Sequence, residues 1–383
     1  APAIGRVQMV NTGSSPLASS PGEWNATLTG DYLWSNVNFG EAVTEAMTPL
    51  SWSVLAFSLD DWVYVPGIPS VGNIGGLPYL NISTFATLFQ LMGRGREDLL
   101  RTTEATLYMR LPDDMEIPLI PLSVAARVGS IANGVRVQLK QRAAVRQVPA
   151  YIDGNPIWFE HTRTRVRASD AGSLAALWRN EIAPHVKFGR WCVLGIAMHS
   201  ADFTMALRRE LAGLVGAEDA SSLIANVSGA AGLASLEPLV GLTQLARGEL
   251  AREAYLLAYG HRGPHEFELS MPRPAEDPAW LERELAGFRA APVDIDALRA
   301  GQRAAFDAAW SRFTARHPRR AGAMAGRIAE SARRARLREL ARSEYVRDRW
   351  LVRLLACRAG EVTGAGDDIF FLTLDEMLRL LRG

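Results

Sequence analysis

The chain has 383 residues, of which 48% are hydrophobic and 22% charged, and a formal net charge of +1 at pH 7. This length is sufficient for one large domain or two ordinary ones with a sizeable buried core. The balanced charge gives no reason to expect nucleic acid or an acidic membrane surface as a partner. Cys192 and Cys357 are too few and too far apart to predict a disulfide framework or a metal site. We therefore expect a globular protein of the reducing cytoplasm.

The first 22 residues are predicted to form a linker or boundary segment. The start, APAIGR, has neither an initiator Met nor the charged-then-apolar pattern of a signal peptide, which favours a cut or processed end. Residues 11–22 are small, polar and proline-bearing, as in exposed linkers. Residues 23–383 are then predicted to form one domain.

Within that domain, residues 23–165 are expected to form a mixed part. Residues 23–90 contain many turn formers, so short helices and a few strands are predicted there. The two clearest strand candidates are WVYV at 62–65 and YLNI at 79–82.

Residues 166–383 are expected to be helical. Two sets of apolar residues could each share a helix face: Leu174, Leu177 and Ile182, and Leu250, Ala254 and Leu257. The apolar stretch 223–242 contains Asn226 and Glu237, which favours a buried helix or helix pair over a membrane span. Residues 295–355 predict two or three long helices broken near His317 and Pro318. The predicted fold is mainly α, with a small irregular or mixed α+β portion near the N-terminus.

Three segments carry a family resemblance. They are YLWSNVNFGE at 32–41 with TPLSWS at 48–53, GHRGPHEFE at 260–268, and DDIFFLTLDE at 367–376. In this order they resemble the central acceptor-binding domain of rifampicin phosphotransferases and other phosphoenolpyruvate-synthase-like enzymes. The resemblance covers the chain from about Glu23 to its end.

The resemblance implies a reaction in which ATP phosphorylates a mobile histidine, which carries the phosphoryl group to a hydroxyl held in this domain. The sequence contains neither a Gly-rich phosphate loop followed by Lys nor a GGxxSHxxI stretch. No cofactor is therefore expected on this chain, and ATP and Mg are implied for an ATP-grasp domain elsewhere. The implied partners are a hydrophobic hydroxylated small molecule and the ATP-grasp and phosphohistidine domains, in cis or in trans.

The turn at 260–268 supplies three catalytic candidates. His261 and Arg262 stand side by side between two glycines, and Glu266 and Glu268 follow with the alternation of an extended segment. Such a cluster could orient an acceptor hydroxyl, with His261 or Glu266 as general base and Arg262 holding phosphoryl charge, while Glu268 binds substrate. An ion-paired structural turn is the equally weighted alternative.

A second candidate region is the predicted helix around residues 342–347, RSEYVR. It resembles the family's Arg-Glu-x-x-Lys segment, whose basic side chains face the transfer point. Arg347 stands in place of the Lys and Ser343 in place of the first Arg, so the resemblance makes Arg347 the phosphoryl clamp. Arg342 is the neighbour that could replace the lost charge and contact the substrate. A solvated arginine face is the alternative.

The opening segments suggest a pocket for an apolar acceptor. Met47, Trp52 and Met92 are the substrate-binding candidates, with further aromatic residues at Phe57, Trp62, Phe85 and Phe89. The polar residues Asn36, Asn38 and Glu41 are expected to cap and hold loops.

Two other classes of function remain open on the sequence. One is a stand-alone module that sequesters a hydrophobic small molecule without chemistry. The other is a stand-alone or split enzyme, such as a dehydratase, that acts on an alcohol or phosphate ester. Gene context would separate these from an acceptor domain.

Overall fold

The computed structural model describes residues 25–40, 42–62, 64–107, 114–291 and 294–383. Within these ranges the chain forms thirteen α-helices and one three-stranded antiparallel sheet. The sheet lies near the N-terminus, which confirms the predicted mainly α fold with a small mixed part. The linker predicted for residues 1–22 falls outside the described residues.

The sheet has the strand order β1-β3-β2, with β1 at Trp34–Ser35, β2 at Val71–Ile74 and β3 at Leu77–Asn81. Gly75 and Gly76 connect β2 to β3 with φ angles of 62° and 84°. Positive φ at both positions of a two-residue hairpin loop favours glycine, which carries no Cβ.

The strand predicted at 79–82 is confirmed for residues 79–81, which belong to β3, whereas Ile82 begins α3. The strand predicted at 62–65 is wrong for the residues described there; Val63 falls outside them. The Trp62 amide donates to the Leu59 carbonyl at 2.9 Å, so the chain is still turning out of the preceding helix.

Four helices complete the N-terminal part: α1 (Val37–Gly40), α2 (Pro49–Leu59), α3 (Ile82–Leu91) and α4 (Arg96–Leu107). Thr48 caps α2 by accepting a hydrogen bond from the Ser51 amide, and Pro49 occupies the first helical position, where its missing N–H costs nothing.

The helical part begins at Val124, whereas the sequence predicts its start at about residue 166. Its members are α5 (Val124–Ala168), α6 (Ala171–Leu177), α7 (Ala183–Val215), α8 (Ala217–Ala246), α9 (Arg252–Tyr259), α10 (Trp280–Ala290), α11 (Ile295–Arg316), α12 (Ala321–Thr363) and α13 (Leu374–Leu380). Residues 223–242 lie within α8, as predicted. None of the described helices combines the length and the apolar composition that crossing a bilayer requires.

Helix α12 lies at the centre of the bundle, packed against α5, α7 and α8. Its second half carries the largest apolar cluster, which includes Trp350, Leu351 and Leu355 and extends to Leu174, Leu177 and Ile182. The shared face predicted for these last three residues is therefore confirmed. The break near His317 and Pro318 is also confirmed, because α11 ends at Arg316 and a short 3₁₀ turn at Pro318–Arg320 precedes α12.

The second predicted face is wrong. Leu257 is 69% exposed and Ala254 is exposed, whereas Tyr255 is the residue of α9 that packs inward. Leu250 precedes the helix, which begins at Arg252, so the three residues do not belong to one helical stripe.

A π-helical turn at Trp178–Ile182 joins α6 to α7. Here the Ala183 amide bonds the Trp178 carbonyl, five residues back instead of four. Pro184 follows at once; it has no amide to donate and its ring disfavours the regular α spacing. The widened turn thus sets the orientation of the first residues of α7, among them His185.

Candidate functional site

The N-terminus of α2 is joined to the 260–268 turn through the Glu268 carboxylate. The amide and hydroxyl of Thr48 donate to it at 2.9 and 2.8 Å. The Ser51 hydroxyl and the Ser270 amide each donate to it at 2.9 Å. Burial raises the pKa of Glu268, but the bonds from Ser270 and Thr48 outweigh burial and leave the pKa below 4.5. Glu268, predicted to bind substrate, therefore has its carboxylate engaged in anchoring α2.

The C-terminal segment meets the same helix. The Leu374 amide, at the start of α13, donates to the Ser53 hydroxyl at 2.8 Å. Ile369 and Phe370 are buried in the central apolar cluster. The opening, turn and tail segments are therefore neighbours in space although more than 200 residues separate the first from the other two.

The turn also contacts α12 through its charged residues. The His261 ring nitrogen Nε2 lies 2.8 Å from the Ser343 hydroxyl. Glu266 pairs with Arg262 at 2.6 Å and with Arg342 at 3.5 Å. The structure thus brings together the two regions that the sequence predicted to be catalytic.

His261 is deeply enclosed at this junction, with an exposed fraction of 1%. Burial, and then the positive charges of Arg347, Arg262 and Arg273, hold the pKa of His261 well below 6.5. The ring is therefore neutral near pH 7. Its enclosure favours the structural reading of the turn over a role as the base that meets an acceptor.

Three arginines fix the backbone of the second half of the turn and of the two residues after it. Arg273 donates to the His265 and Glu266 carbonyls at 3.0 and 2.9 Å. Arg349 donates to the Phe267 carbonyl at 3.0 Å, and Arg353 to the carbonyls of residues 269 and 270 at 2.7 and 2.9 Å.

This arrangement orders nearly every carbonyl from 265 to 270. His265 has a φ of 60°, a conformation that costs a non-glycine residue energy and persists only where its surroundings hold it. Burial and the neighbouring Arg349 and Arg353 lower the pKa of Arg273 to about 10, so the guanidinium stays charged near neutral pH. These arginines are structural cations of the loop.

Arg347 lies one turn after Ser343 on the same face of α12. Its Nε donates to the Glu344 carboxylate at 3.0 Å, and its guanidinium lies over the Phe159 ring at 5.8 Å. The Nη2 nitrogen reaches the same carboxylate at 3.5 Å. Within the described residues Nη1 makes no hydrogen bond, so Arg347 keeps a donor for a further acceptor.

A chain of polar contacts that the sequence reasoning missed continues from Glu344. Asn155 of α5 donates its Nδ2 to the Glu344 carboxylate at 3.1 Å, and its Oδ1 lies 2.7 Å from Nε2 of His185. The same His185 nitrogen lies 3.6 Å from Asp348, which accepts the Tyr151 hydroxyl at 2.6 Å. Asp348 is fully buried, and its Oδ1 makes no hydrogen bond in the described part of the chain.

One sequence signal could have indicated this network. Glu344 and Asp348 are four residues apart, so they lie on one face of α12 next to Arg347. Carboxylates in the most apolar part of a helix need partners from neighbouring elements. The identity of those partners, Asn155 and His185, depends on how α5 and α7 pack and is not readable from the chain.

The predicted pocket residues do not form one group. Met47 and Trp52 are buried together with Val43 and Leu55, against Phe267 of the turn. Met92 lies apart from them, 49% exposed at the end of α3. Phe57 packs against the central apolar cluster, and the other members, Trp62, Phe85 and Phe89, are divided between two further clusters.

The polar residues of the opening segment are only partly described. The Asn36 carbonyl accepts the amides of Phe39 and Gly40 and so forms the first turn of α1. Glu41 and the side chain of Asn38 fall outside the described residues.

Comparison with protein-family models gives no match, and a search of curated proteins finds no significantly similar sequence. The function is therefore inferred from the chain's own residues and from the resemblance of the segments at 32–41, 48–53, 260–268, 342–347 and 367–376.

Proposed function

We propose that this chain is the acceptor-binding domain of a phosphoenolpyruvate-synthase-like dikinase or phosphotransferase. ATP and Mg are handled by an ATP-grasp domain, and a mobile phosphohistidine carries the phosphoryl group to a hydroxyl of an apolar small molecule held here. A rifamycin-like antibiotic or a biosynthetic intermediate fits this class of acceptor.

One observation carries the proposal. The segments at 48–53, 260–268 and 367–376 lie far apart in sequence, yet the first contacts both of the others, and the 260–268 turn contacts α12 at Ser343. A chance likeness of short motifs gives no reason for the motifs to be neighbours. A shared fold built around one transfer point would bring them together.

Arg347 is the phosphoryl clamp in this proposal. Glu344 engages its Nε and Nη2, which fixes the plane of the guanidinium, and Nη1 remains for a phosphoryl oxygen. A preorganised cation at the point where charge develops accelerates transfer, because it needs no reorganisation during the reaction. The buried setting of Arg347, 7% exposed, strengthens the interaction by excluding water.

The test compares Arg347→Ala with the parent in the full-length enzyme, using a rifamycin as acceptor. Loss of the clamp is expected to lower kcat about 10²- to 10³-fold while acceptor binding changes little. Arg303→Ala, on the exposed side of α11, is the matched control and should leave both unchanged. Weakened acceptor binding with an unchanged kcat would give Arg347 a positioning role instead.

A further inference from the structure

His185 of α7, at the far end of the polar network that begins at Arg347, is placed to meet the acceptor. His185 is joined to Arg347 by three consecutive hydrogen bonds, through Asn155 and Glu344, of 2.7, 3.1 and 3.0 Å. Unlike His261, its side chain is 18% exposed. The ring can therefore reach a bound molecule while its partners stay buried.

The hydrogen bonds determine which ring nitrogen carries the proton. The Asn155 amide nitrogen donates to the carboxylate and to the backbone carbonyl of Glu344, both at 3.1 Å, and a carbonyl can only accept. Oδ1 of Asn155 is then the atom that faces His185, and it too can only accept. Nε2 of His185 must therefore be the donor, which leaves the lone pair of the neutral ring on Nδ1.

Asp348 reinforces this arrangement. Its Oδ1 has no hydrogen bond in the described ranges and lies 3.6 Å from the same Nε2. A buried carboxylate next to the N–H side of an imidazole stabilises the imidazolium that forms when the other nitrogen takes a proton. Tyr151 holds the second oxygen of Asp348 at 2.6 Å and so fixes its orientation.

The surroundings of the ring suit an apolar acceptor. Trp158 stacks on His185 with ring centroids 3.5 Å apart, and Phe188 lies at 6.2 Å. Phe188 is 37% exposed. A partly exposed base thus lies beside a stacked tryptophan and an exposed phenylalanine, side chains that suit the apolar body of an acceptor whose hydroxyl meets the ring.

We propose that His185 is the general base that accepts the proton of the acceptor hydroxyl, with Asn155 and Asp348 as the positioning residues that keep Nδ1 unprotonated. This inference rests on the proposed function. In the step, the hydroxyl oxygen forms a bond to phosphorus as its proton passes to Nδ1 of His185. The phosphorus–nitrogen bond of the carrier phosphohistidine breaks, and the carrier nitrogen keeps the electron pair.

The first test requires no acceptor. Nitrogen-15 NMR of the histidine-labelled chain reports the tautomer of His185, whose signals are assigned by their loss in His185→Gln. The proposal expects a proton on Nε2 and a bare Nδ1 in the neutral ring. A proton on Nδ1 in the neutral ring would overturn it, because the lone pair would then face Asn155 and Asp348.

The second test separates the two half-reactions in the full-length enzyme by quenched flow, with a rifamycin as acceptor. His185→Gln keeps a side-chain N–H for Asn155 but removes the basic nitrogen. Formation of phosphohistidine from ATP should keep its parental rate, whereas transfer should fall about 10²- to 10⁴-fold. The control is His161→Gln on the exposed face of α5, for which both rates should stay parental.

Transfer at the parental rate in His185→Gln would refute the base. A parent enzyme that forms no phosphohistidine would instead refute the proposed function, and the tautomer measurement keeps the two failures distinct.

Discussion

Glu268 gives the clearest test of how the site is held together. Its carboxylate accepts four hydrogen bonds, two from Thr48 and one each from Ser51 and Ser270. Glu268→Gln keeps the shape of the side chain, removes the charge and turns one acceptor oxygen into a donor. That new donor faces an N–H or O–H group that can no longer be satisfied.

The expected loss follows from these four bonds. A hydrogen bond to a charged acceptor contributes roughly 1 kcal/mol more than one to a neutral acceptor. Four such bonds, reduced because neighbouring contributions are not additive, give a loss of about 2–4 kcal/mol in the free energy of unfolding. Urea denaturation followed by circular dichroism measures this loss as a lower midpoint at constant slope.

The same carboxylate predicts a dependence on pH. The folded pKa of Glu268 lies below its ordinary value of 4.5, so its stabilisation is fully present above that pH. The stabilisation is lost as the pH falls through the folded pKa. The parent should therefore lose more stability than Glu268→Gln between about pH 5 and the acid end of the titration.

The control is Glu253→Gln, an exposed residue in the first turn of α9. Its effect should stay within about 0.5 kcal/mol. A Glu268→Gln loss no larger than that of the control would refute the anchoring role and return Glu268 to the substrate-binding candidates.

Two further substitutions test the polar network around Asp348. Gly189→Ala would place a Cβ 2.5 Å from Oδ2 of Asp348 and 2.6 Å from the Tyr151 hydroxyl. We expect this overpacking to lower the free energy of unfolding by about 1–3 kcal/mol, although alanine has the better helix propensity. Urea denaturation measures this loss. The control is Gly213→Ala on the same helix, whose Cβ meets nothing within 4 Å. Equal midpoints for the two variants would contradict the packing around Gly189. Tyr151→Phe removes the donor 2.6 Å from a buried carboxylate and should cost about 1–3 kcal/mol in the same assay. An unchanged midpoint would mean that Asp348 does not depend on Tyr151.

Local rules predicted part of the fold well. The local sequence predicts the break at His317 and Pro318, because proline fits the first turn of a helix and disfavours the helical conformation in the residue before it. The face of Leu174, Leu177 and Ile182 is also local, since helical spacing brings such residues together.

The same rules failed on α5. Pro149 and Pro156 lie inside this helix of 45 residues, and three glycines interrupt its pattern. Its buried face, which includes Val148 and Phe159, packs against other long helices. That tertiary packing offsets the weak local helix propensity. Its contribution cannot be judged from the local sequence.

The candidate site, too, was predictable from the sequence only in part. The motifs around His261 and Arg347 were identifiable because each is a short continuous segment. Their adjacency, and the contribution of Asn155 and His185, arise from the packing of α5 and α7 against α12. The sequence therefore predicts Arg347 as a candidate clamp but not the network that orients it.

The most direct measurement is mass spectrometry of the intact natural gene product, incubated with ATP and a panel of hydroxylated small molecules that includes a rifamycin. The proposed function predicts a polypeptide that converts ATP to AMP and adds one phosphoryl group to a member of the panel. A 383-residue product that binds a ligand yet leaves ATP untouched, with no separate ATP-grasp subunit restoring activity, would contradict it.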